Sequence, residues 1–322
     1  MEKIRVLAVI PDGGNKASMI FAHRQMNSLK ATSINVDIFM LKSRTSLKSL
    51  FSDMIAFRQK LAAFHPHIVH AHYGTVTSFF CALGANKPLV ITFRGSDLNP
   101  VTSENAFRKG VKQVLSQLST LRAKHIICVS QGLKKRLWWR NDEVSIIPSG
   151  IDLSIFKPLQ IKCARKRLGL SLTDRIILFN VGKSPLVKRL DLAEQALKFV
   201  KSHFPNTCLV KLYGNIDPDD MPFYYNAADC LLLTSDHEGS PNVVKEAVSC
   251  NCPVVSLDVG DVRERLAGVW PSKIVTRDPV EIGRAIIKIF KLNRRSNGHN
   301  TTRAISLDRL STKTVSIYRS ML

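Results

Sequence analysis

Cys230-Leu231-Leu232-Leu233-Thr234-Ser235-Asp236-His237-Glu238-Gly239-Ser240-Pro241-Asn242-Val243-Val244-Lys245-Glu246-Ala247 reads as a strand, a loop and the start of a helix. The apolar run at its head suits a strand buried on both faces. Ser240 is a good N-cap and Pro241 a good first helical residue. The spacing predicts a helix over 241–249, whose first amides, on Asn242, Val243 and Val244, lack intrahelical partners. With the helix dipole, such amides make an anion site. Gly239 lets the backbone approach a ligand closely. Glu238 stands at the mouth of that site and Glu246 lies two turns into the helix. Ionised carboxylates accept hydrogen bonds from hydroxyl groups. Two readings fit these residues alone: a site for an anion and a sugar, or an ordinary capped helix with exposed acids.

The same alternation of strand and helix extends in both directions. Apolar runs at 6–10, 34–40, 67–71, 89–93 and 126–129 read as buried parallel strands, with amphipathic segments at 18–30, 47–64 and 104–124 between them. The pattern pauses at Ile147-Pro148-Ser149-Gly150-Ile151-Asp152 and restarts. Strands are predicted at 176–181, 209–213, 230–234 and 253–257, and helices at 191–203, 222–228 and 241–249. The tail, 305–321, has helical period. A chain of 322 residues with 45% hydrophobic content fits two cores, expected over 1–154 and 155–304, with 305–322 packing back on the first. In open α/β sheets, ligands bind beyond the carboxyl ends of the strands, and nearly every motif here follows a predicted strand.

Composition narrows the partners without choosing one. The formal charge is +22, and residues 1–150 hold 21 basic against 8 acidic side chains. Such a field attracts nucleic acid, acidic lipid surfaces or phosphorylated substrates. Aromatics are 7% and no recognition motif for nucleic acid is present, so no nucleic acid is expected. The seven cysteines are odd in number, lack a C-x-x-C pair and lie mostly in apolar stretches. They read as buried thiols of a cytoplasmic protein. The charged N-terminus reads as a first strand rather than a signal peptide, and no apolar run is long enough to span a bilayer.

Glu238-Gly239-Ser240-Pro241-Asn242 followed by Glu246 resembles the E-x7-E motif of retaining GT-B glycosyltransferases of family 4. Cys250-Asn251-Cys252-Pro253-Val254-Val255 and Val259-Gly260-Asp261-Val262-Arg263-Glu264 are similar to that family's next stretch. The resemblance implies an α/β GT-B fold of two Rossmann-like parallel-sheet domains facing an interdomain cleft. It implies transfer of a sugar, with retention, from a nucleotide-sugar donor to a glycan or lipid-linked saccharide, with no cofactor and no metal. By the same resemblance Glu238 contacts the donor sugar and Glu246 the ribose, while Gly239, Ser240, Pro241, Asn242 and Val243 hold the diphosphate.

A second segment, Phe179-Asn180-Val181-Gly182-Lys183-Ser184-Pro185-Leu186-Val187-Lys188-Arg189, ends a strand at a glycine and continues into cations. It lacks the spacing of a P-loop. It resembles the family segment whose two cations neutralise the diphosphate, with Lys183 and Lys188 at those positions and Arg189 as a further candidate. Preorganised charge there would stabilise a departing nucleoside diphosphate. A solvated basic loop is the alternative.

In the first half, Val69-His70-Ala71-His72-Tyr73-Gly74 places two histidines on one strand face. His70 reads as a core residue and His72 as the better acceptor-side candidate; a metal reading of H-x-H lacks a third ligand. Ile91-Thr92-Phe93-Arg94-Gly95-Ser96-Asp97 adds Arg94 and Asp97. Many family members have His where Arg94 stands, and Arg cannot serve as a base, though it binds phosphate or carboxylate bidentately. Gly13 and Gly14 resemble the family's first loop, beneath the diphosphate and sugar.

Two further features bear on donor and acceptor. Between 214 and 221 the chain is shorter than the family by about one strand–helix unit, in a region that flanks the nucleobase in family members. Asp217-Pro218-Asp219-Asp220 there reads as a turn or as a divalent-cation motif. Basic residues and two tryptophans at 104–140 suit either a solvated helix face or an anionic membrane surface, which would place the protein peripherally on the inner face of a membrane.

Overall fold

The computed structural model describes residues 3–14, 19–99, 105–140, 143–182, 185–214 and 216–322. They divide into two compact units, 1–150 with 307–322, and 151–306.

Unit 1 begins β1 (Ile4–Pro11), α1 (Ile20–Lys30), β2 (Ile34–Leu41), α2 (Leu47–Phe64), β3 (Ile68–His72) and α3 (Thr75–Gly84). It continues β4 (Leu89–Phe93), α4 (Ala106–Arg122), β5 (His125–Cys128), α5 (Gln131–Lys134) and β6 (Val144–Ile146). The strands form one parallel sheet in the order β2-β1-β3-β4-β5-β6. Val6 to Ile10 are wholly buried, as an unbroken apolar run must be when helices cover both faces of a sheet. Under α2 and α3, Phe39, Phe57 and Phe80 pack with ring centroids 5.3–6.3 Å apart.

Unit 2 runs α6 (Ile161–Leu168), β7 (Arg175–Asn180), α7 (Pro185–Lys188), α8 (Leu190–Lys201), β8 (Thr207–Leu212), α9 (Met221–Ala227) and β9 (Cys230–Leu233). Then come α10 (Asn242–Ser249), β10 (Val254–Leu257), α11 (Val262–Leu266), β11 (Lys273–Val275), α12 (Pro279–Leu292) and α13 (Gly298–Thr301). Its sheet is also parallel, in the order β11-β10-β9-β7-β8. Among the described residues β8 is an edge strand, and the segment after it passes directly to α9. Within that segment Asp217 accepts the amide of Asp219 and Asp220 pairs with Arg167, an ordinary turn.

The chain then returns to unit 1 as α14 (Leu307–Ser320), which packs on α1. Tyr318 is fully buried there and its hydroxyl lies 2.6 Å from His70 Nδ1. In each unit the first strand is flanked by the next two, so the sheet order reverses beside it. The crevice at such a switch point is where α/β sheets take ligands. In unit 2 it lies between the carboxyl ends of β7 and β9, in unit 1 between those of β1 and β3.

Candidate functional site

The loops leaving β7 and β9 are stitched together. Thr234 Oγ1 donates to the carbonyls of Lys188 and Arg189, and the amide of Asp236 donates to the Val187 carbonyl. This lacing brings the Lys188 ammonium to 2.5 Å from Glu238 Oε1. Ser235 donates to the same oxygen at 2.8 Å. Both charged groups are half-buried, at 22% and 16% side-chain exposure, so the pair is well placed to meet a ligand while its charges are screened less than on an open surface. Lys183, the other expected cation, lies outside the described residues.

Glu238 leads into α10. Helix and cap differ from the sequence expectation by one residue: Pro241 occupies the N-cap position and the helix starts at Asn242. Ser240 is therefore no cap. Its hydroxyl donates to Asp261 Oδ2 at 2.8 Å and accepts from Lys245 Nζ at 3.0 Å. Val244, expected to hold a free amide, donates to the Pro241 carbonyl. Among the described residues the amides of Asn242 and Val243 have no acceptor, so the open tip is two amides wide. The Asn242 side-chain oxygen is also buried without a partner.

Beneath this tip lies a charge network that sequence reasoning missed. Lys245 is wholly buried, although its place in the helical period resembles any solvent-facing lysine. Asp261, 3% exposed, accepts from Ser240 and pairs with Arg265 at 3.0 Å. Gly260 (φ +61) presses on the loop from below, its absent Cβ 2.7 Å from the Gly239 carbonyl. Gly239 and Glu238 are thus seated on rigid backbone. One turn on, Glu246 Oε2 accepts the hydroxyl of the fully buried Tyr225 at 2.7 Å. Burial, with Glu246 beside it, pushes the Tyr225 phenol well above its ordinary range, so it stays a donor. No spacing in the sequence links Tyr225 to Glu246; α9 and α10 bring them together.

Arg189 does not join the Lys188 cluster. Its guanidinium pairs instead with Asp191 at 2.8 Å and Asp236 at 3.5 Å.

In unit 1, Gly14 has φ +73 and donates its amide to Asp12 Oδ1, with open space where a Cβ would stand. Gly13 precedes it, two residues past the end of β1. The end of β3 is strained: Tyr73 and Thr75, on either side of Gly74, have φ of 119° and 57°. Non-glycine residues hold such angles only when their surroundings enforce them. Asp97 does so here, accepting the amides of Gly74, Arg94 and Gly95 while 1% exposed. It is a clamp between two loops, with its oxygens spent on backbone, and this corrects its acceptor-side placement.

Arg94 is likewise turned inward. It donates to Ser149, Gln25 and His72 and lies over the Phe21 ring. The fork expected to grip an acceptor is occupied by these partners. Burial draws its pKa down to about 10, which leaves it charged at neutral pH. Because Arg94 donates to His72 Nδ1 at 2.7 Å, the His72 proton sits on Nε2, which is buried and without a partner among the described residues. Burial, then His70 and Arg94, hold the His72 pKa well below its ordinary value. His70 is lowered to about 3, chiefly by burial, and bonds Tyr318 and Thr92. No group of three or more His, Cys, Asp or Glu side chains is gathered as for a metal ion among the described residues. No helix there is long and apolar enough to cross a membrane, and all seven cysteines are free thiols.

Two parallel α/β units, the second carrying a lysine–glutamate pair at the tip of a helix and a further glutamate within it, define the GT-B fold of glycosyltransferases. Residues 14–155 match the family described as Glycosyltransferase Family 4, and residues 170–291 match Glycosyl transferases group 1. The chain belongs to the GT-B glycosyltransferases of family 4. It is 31% identical over 218 residues to a Bacillus subtilis protein named as the teichuronic acid biosynthesis glycosyltransferase TuaC, covering 62% of this chain and 54% of that one. The chain spans about half the length of the curated relatives it matches.

Solved structures match over nearly the whole chain and support the fold. Sucrose-phosphate synthase from Thermosynechococcus elongatus superposes with a TM-score of 0.80 at 17% identity, covering 98% of both chains. Anabaena Alr3699/HepE, solved with UDP and glucose, gives 0.76 at 15% identity, covering 98% of this chain and all of that one.

Proposed function

We propose that this chain is a metal-independent, retaining glycosyltransferase that moves a sugar from a nucleotide-sugar donor to a glycan or lipid-linked saccharide. The observation that carries the reading is the Lys188–Glu238 pair beside the two open amides of α10. The donor diphosphate rests on the amides of Asn242 and Val243 and takes the Lys188 ammonium from Glu238. Glu238, so released, accepts a hydroxyl of the donor sugar. Glu246, held by Tyr225, accepts the ribose hydroxyls. As the bond from the anomeric carbon to the phosphate oxygen breaks, charge grows on that oxygen, where Lys188 and the amides stabilise it. The acceptor oxygen attacks from the face the phosphate leaves, and its proton passes to the departing phosphate. Lys188 supplies the positive charge that a divalent ion would otherwise bring. Names of similar proteins support the reading: TuaC is a glycosyltransferase by name, and HepE was solved with UDP and glucose.

The test is a thermal-shift screen against nucleotide sugars, with and without EDTA, followed by NMR of the product's anomeric configuration. Stabilisation by one donor, indifferent to EDTA, with retained configuration in the product, is expected. Stabilisation only with a divalent ion, or inversion, overturns the metal-independent or the retaining reading respectively. Stabilisation by no nucleotide sugar overturns the whole.

A further inference from the structure

Helix α4 is built inside out. Phe107, Val111, Val114, Leu118 and Leu121 recur at helical spacing and form one stripe, and all five are exposed, Phe107 by 79% and Leu121 by 62%. The opposite face, Ser116, Gln117, Ser119 and Thr120, is the buried one. An amphipathic helix of a soluble protein has the reverse arrangement. Hydrogen bonds hold the polar face in place: Ser119 donates to Ser78, Ser116 donates to the Asp97 carbonyl and accepts the Thr75 amide, and Gln117 donates to the Arg136 carbonyl. The fold of unit 1 therefore does not use the apolar stripe.

Helix α2 buries one apolar face through Leu50, Met54, Phe57 and Leu61 and carries a second apolar stripe outward. Leu47, Phe51 and Ile55 stand one turn apart, Leu47 exposed by 82% and Phe51 by 72%. Both helices pack on α3, so the two stripes lie on one side of the unit 1 sheet. Exposed apolar area of this extent marks an interaction surface.

The exposed charge carried by the two helices themselves has one sign. α4 carries Arg108, Lys109, Lys112 and Arg122 and no carboxylate. The carboxylate of α2, Asp53, is buried and accepts the Lys42 amide. Near the start of α4, a cavity of about 280 Å³ is lined by Arg44, Arg108 and Lys112 together with Phe107, Val111 and Leu115. Cations beside apolar side chains match a phosphate headgroup and the first methylenes below it.

We propose that the outer side of α2 and α4 docks on an anionic lipid bilayer, with a lipid phosphate seated in the cavity at the start of α4. Apolar stripes entering the acyl boundary while cations meet the headgroups is the arrangement by which amphipathic helices lie on membranes. A second copy of the chain fits less well, because a two-fold contact would set like charges against each other. The inference deepens the lipid-linked reading of the acceptor. Its test uses neither donor nor acceptor, so each reading can fail without the other.

The experiment is flotation of the full chain with vesicles of phosphatidylcholine alone, or with phosphatidylglycerol added, at low and high salt, beside sedimentation of the protein alone. Binding to the anionic vesicles only, reversed by salt, is expected. The outward-facing variant F107E/L121E, with its thermal midpoint kept, is expected to lose binding by about tenfold or more. The variant R108Q/K112Q, which leaves the stripe intact, is expected to lose about tenfold. Wild-type chain that ignores anionic vesicles, or either variant binding as the wild type does, overturns the proposal. A dimer that F107E/L121E dissociates, without vesicle binding, overturns it in favour of a second copy.

Discussion

The Lys188 ammonium and the Glu238 carboxylate are 2.5 Å apart, joined across two loops that leave neighbouring strands. Without a donor, each neutralises the other. A diphosphate carries more negative charge than one carboxylate and is expected to draw Lys188 away. Lys188→Ala should lower kcat by about 10²–10³, as loss of one preorganised donor does elsewhere, with a smaller change in donor KM. Steady-state kinetics with saturating acceptor reads this. A change confined to KM would mean that Lys188 binds the ground state alone.

Glu246 and Tyr225 should separate binding from turnover. Hydrogen bonds to a charged group contribute about 1.5–3 kcal/mol. Glu246→Ala is therefore expected to weaken donor binding by roughly 10- to 150-fold. Tyr225→Phe leaves the carboxylate present but untethered, and a smaller loss is expected. Calorimetric titration of donor against both variants checks the order, and equal affinity across all three proteins contradicts the assignment.

Gly260 permits a backbone contact that no side chain can share. An alanine Cβ there would stand 2.7 Å from the Gly239 carbonyl in a left-handed conformation that itself costs about 1 kcal/mol. Gly260→Ala should displace the Glu238–Gly239 loop and lower kcat/KM by about tenfold or more. Gly169 is the control. It has φ +64 with nothing within 4 Å of a Cβ, so Gly169→Ala should carry the backbone strain and leave the kinetics unchanged.

The buried histidines give the protein a pH dependence whose sign is fixed. His70 is lowered to about 3 and His72 lies well below 6.5. Below about pH 6.5 the unfolded chain takes up protons at both rings and the folded chain does not. Stability is complete above that value and is lost as pH falls through it. From pH 7 to 5.5 the two rings together cost about 2–3 kcal/mol. Thermal midpoints measured across this range should fall accordingly, and the slope should flatten in His70→Asn/His72→Asn. A slope unchanged in that variant would assign the loss to other groups.

Strands were legible wherever both faces are buried, because nothing polar interrupts them: the run at 89–93 is β4 to the residue. The edge strands β6 and β11, three residues each, carry too little period to be seen. Helix α3 was hidden because it is apolar nearly all round and starts at a strained turn. At the site, Glu238, Lys188 and the helix tip were readable from local order, since each follows a strand within a few residues. Lys245, Asp261 and Tyr225 were not, because their roles arise from packing between segments distant in sequence. Arg94 and Asp97 were read by residue type, and their partners, which type does not reveal, turned them inward; Arg189 was read the same way and lies in a surface pair with Asp191.

Unit 1 is assembled from both ends of the chain, and α14 supplies the phenol that meets His70. That helix is synthesised after the whole of 151–306. At about 5–20 residues per second, ribosomes need roughly 8–30 s for that stretch. Throughout that interval the nascent first sheet has an imidazole lacking one of its two partners and one flank uncovered. Completion of unit 2 thus precedes completion of unit 1, although unit 1 emerges first. A stop codon ahead of Leu307 would leave unit 2 intact and abolish the finished form of the other.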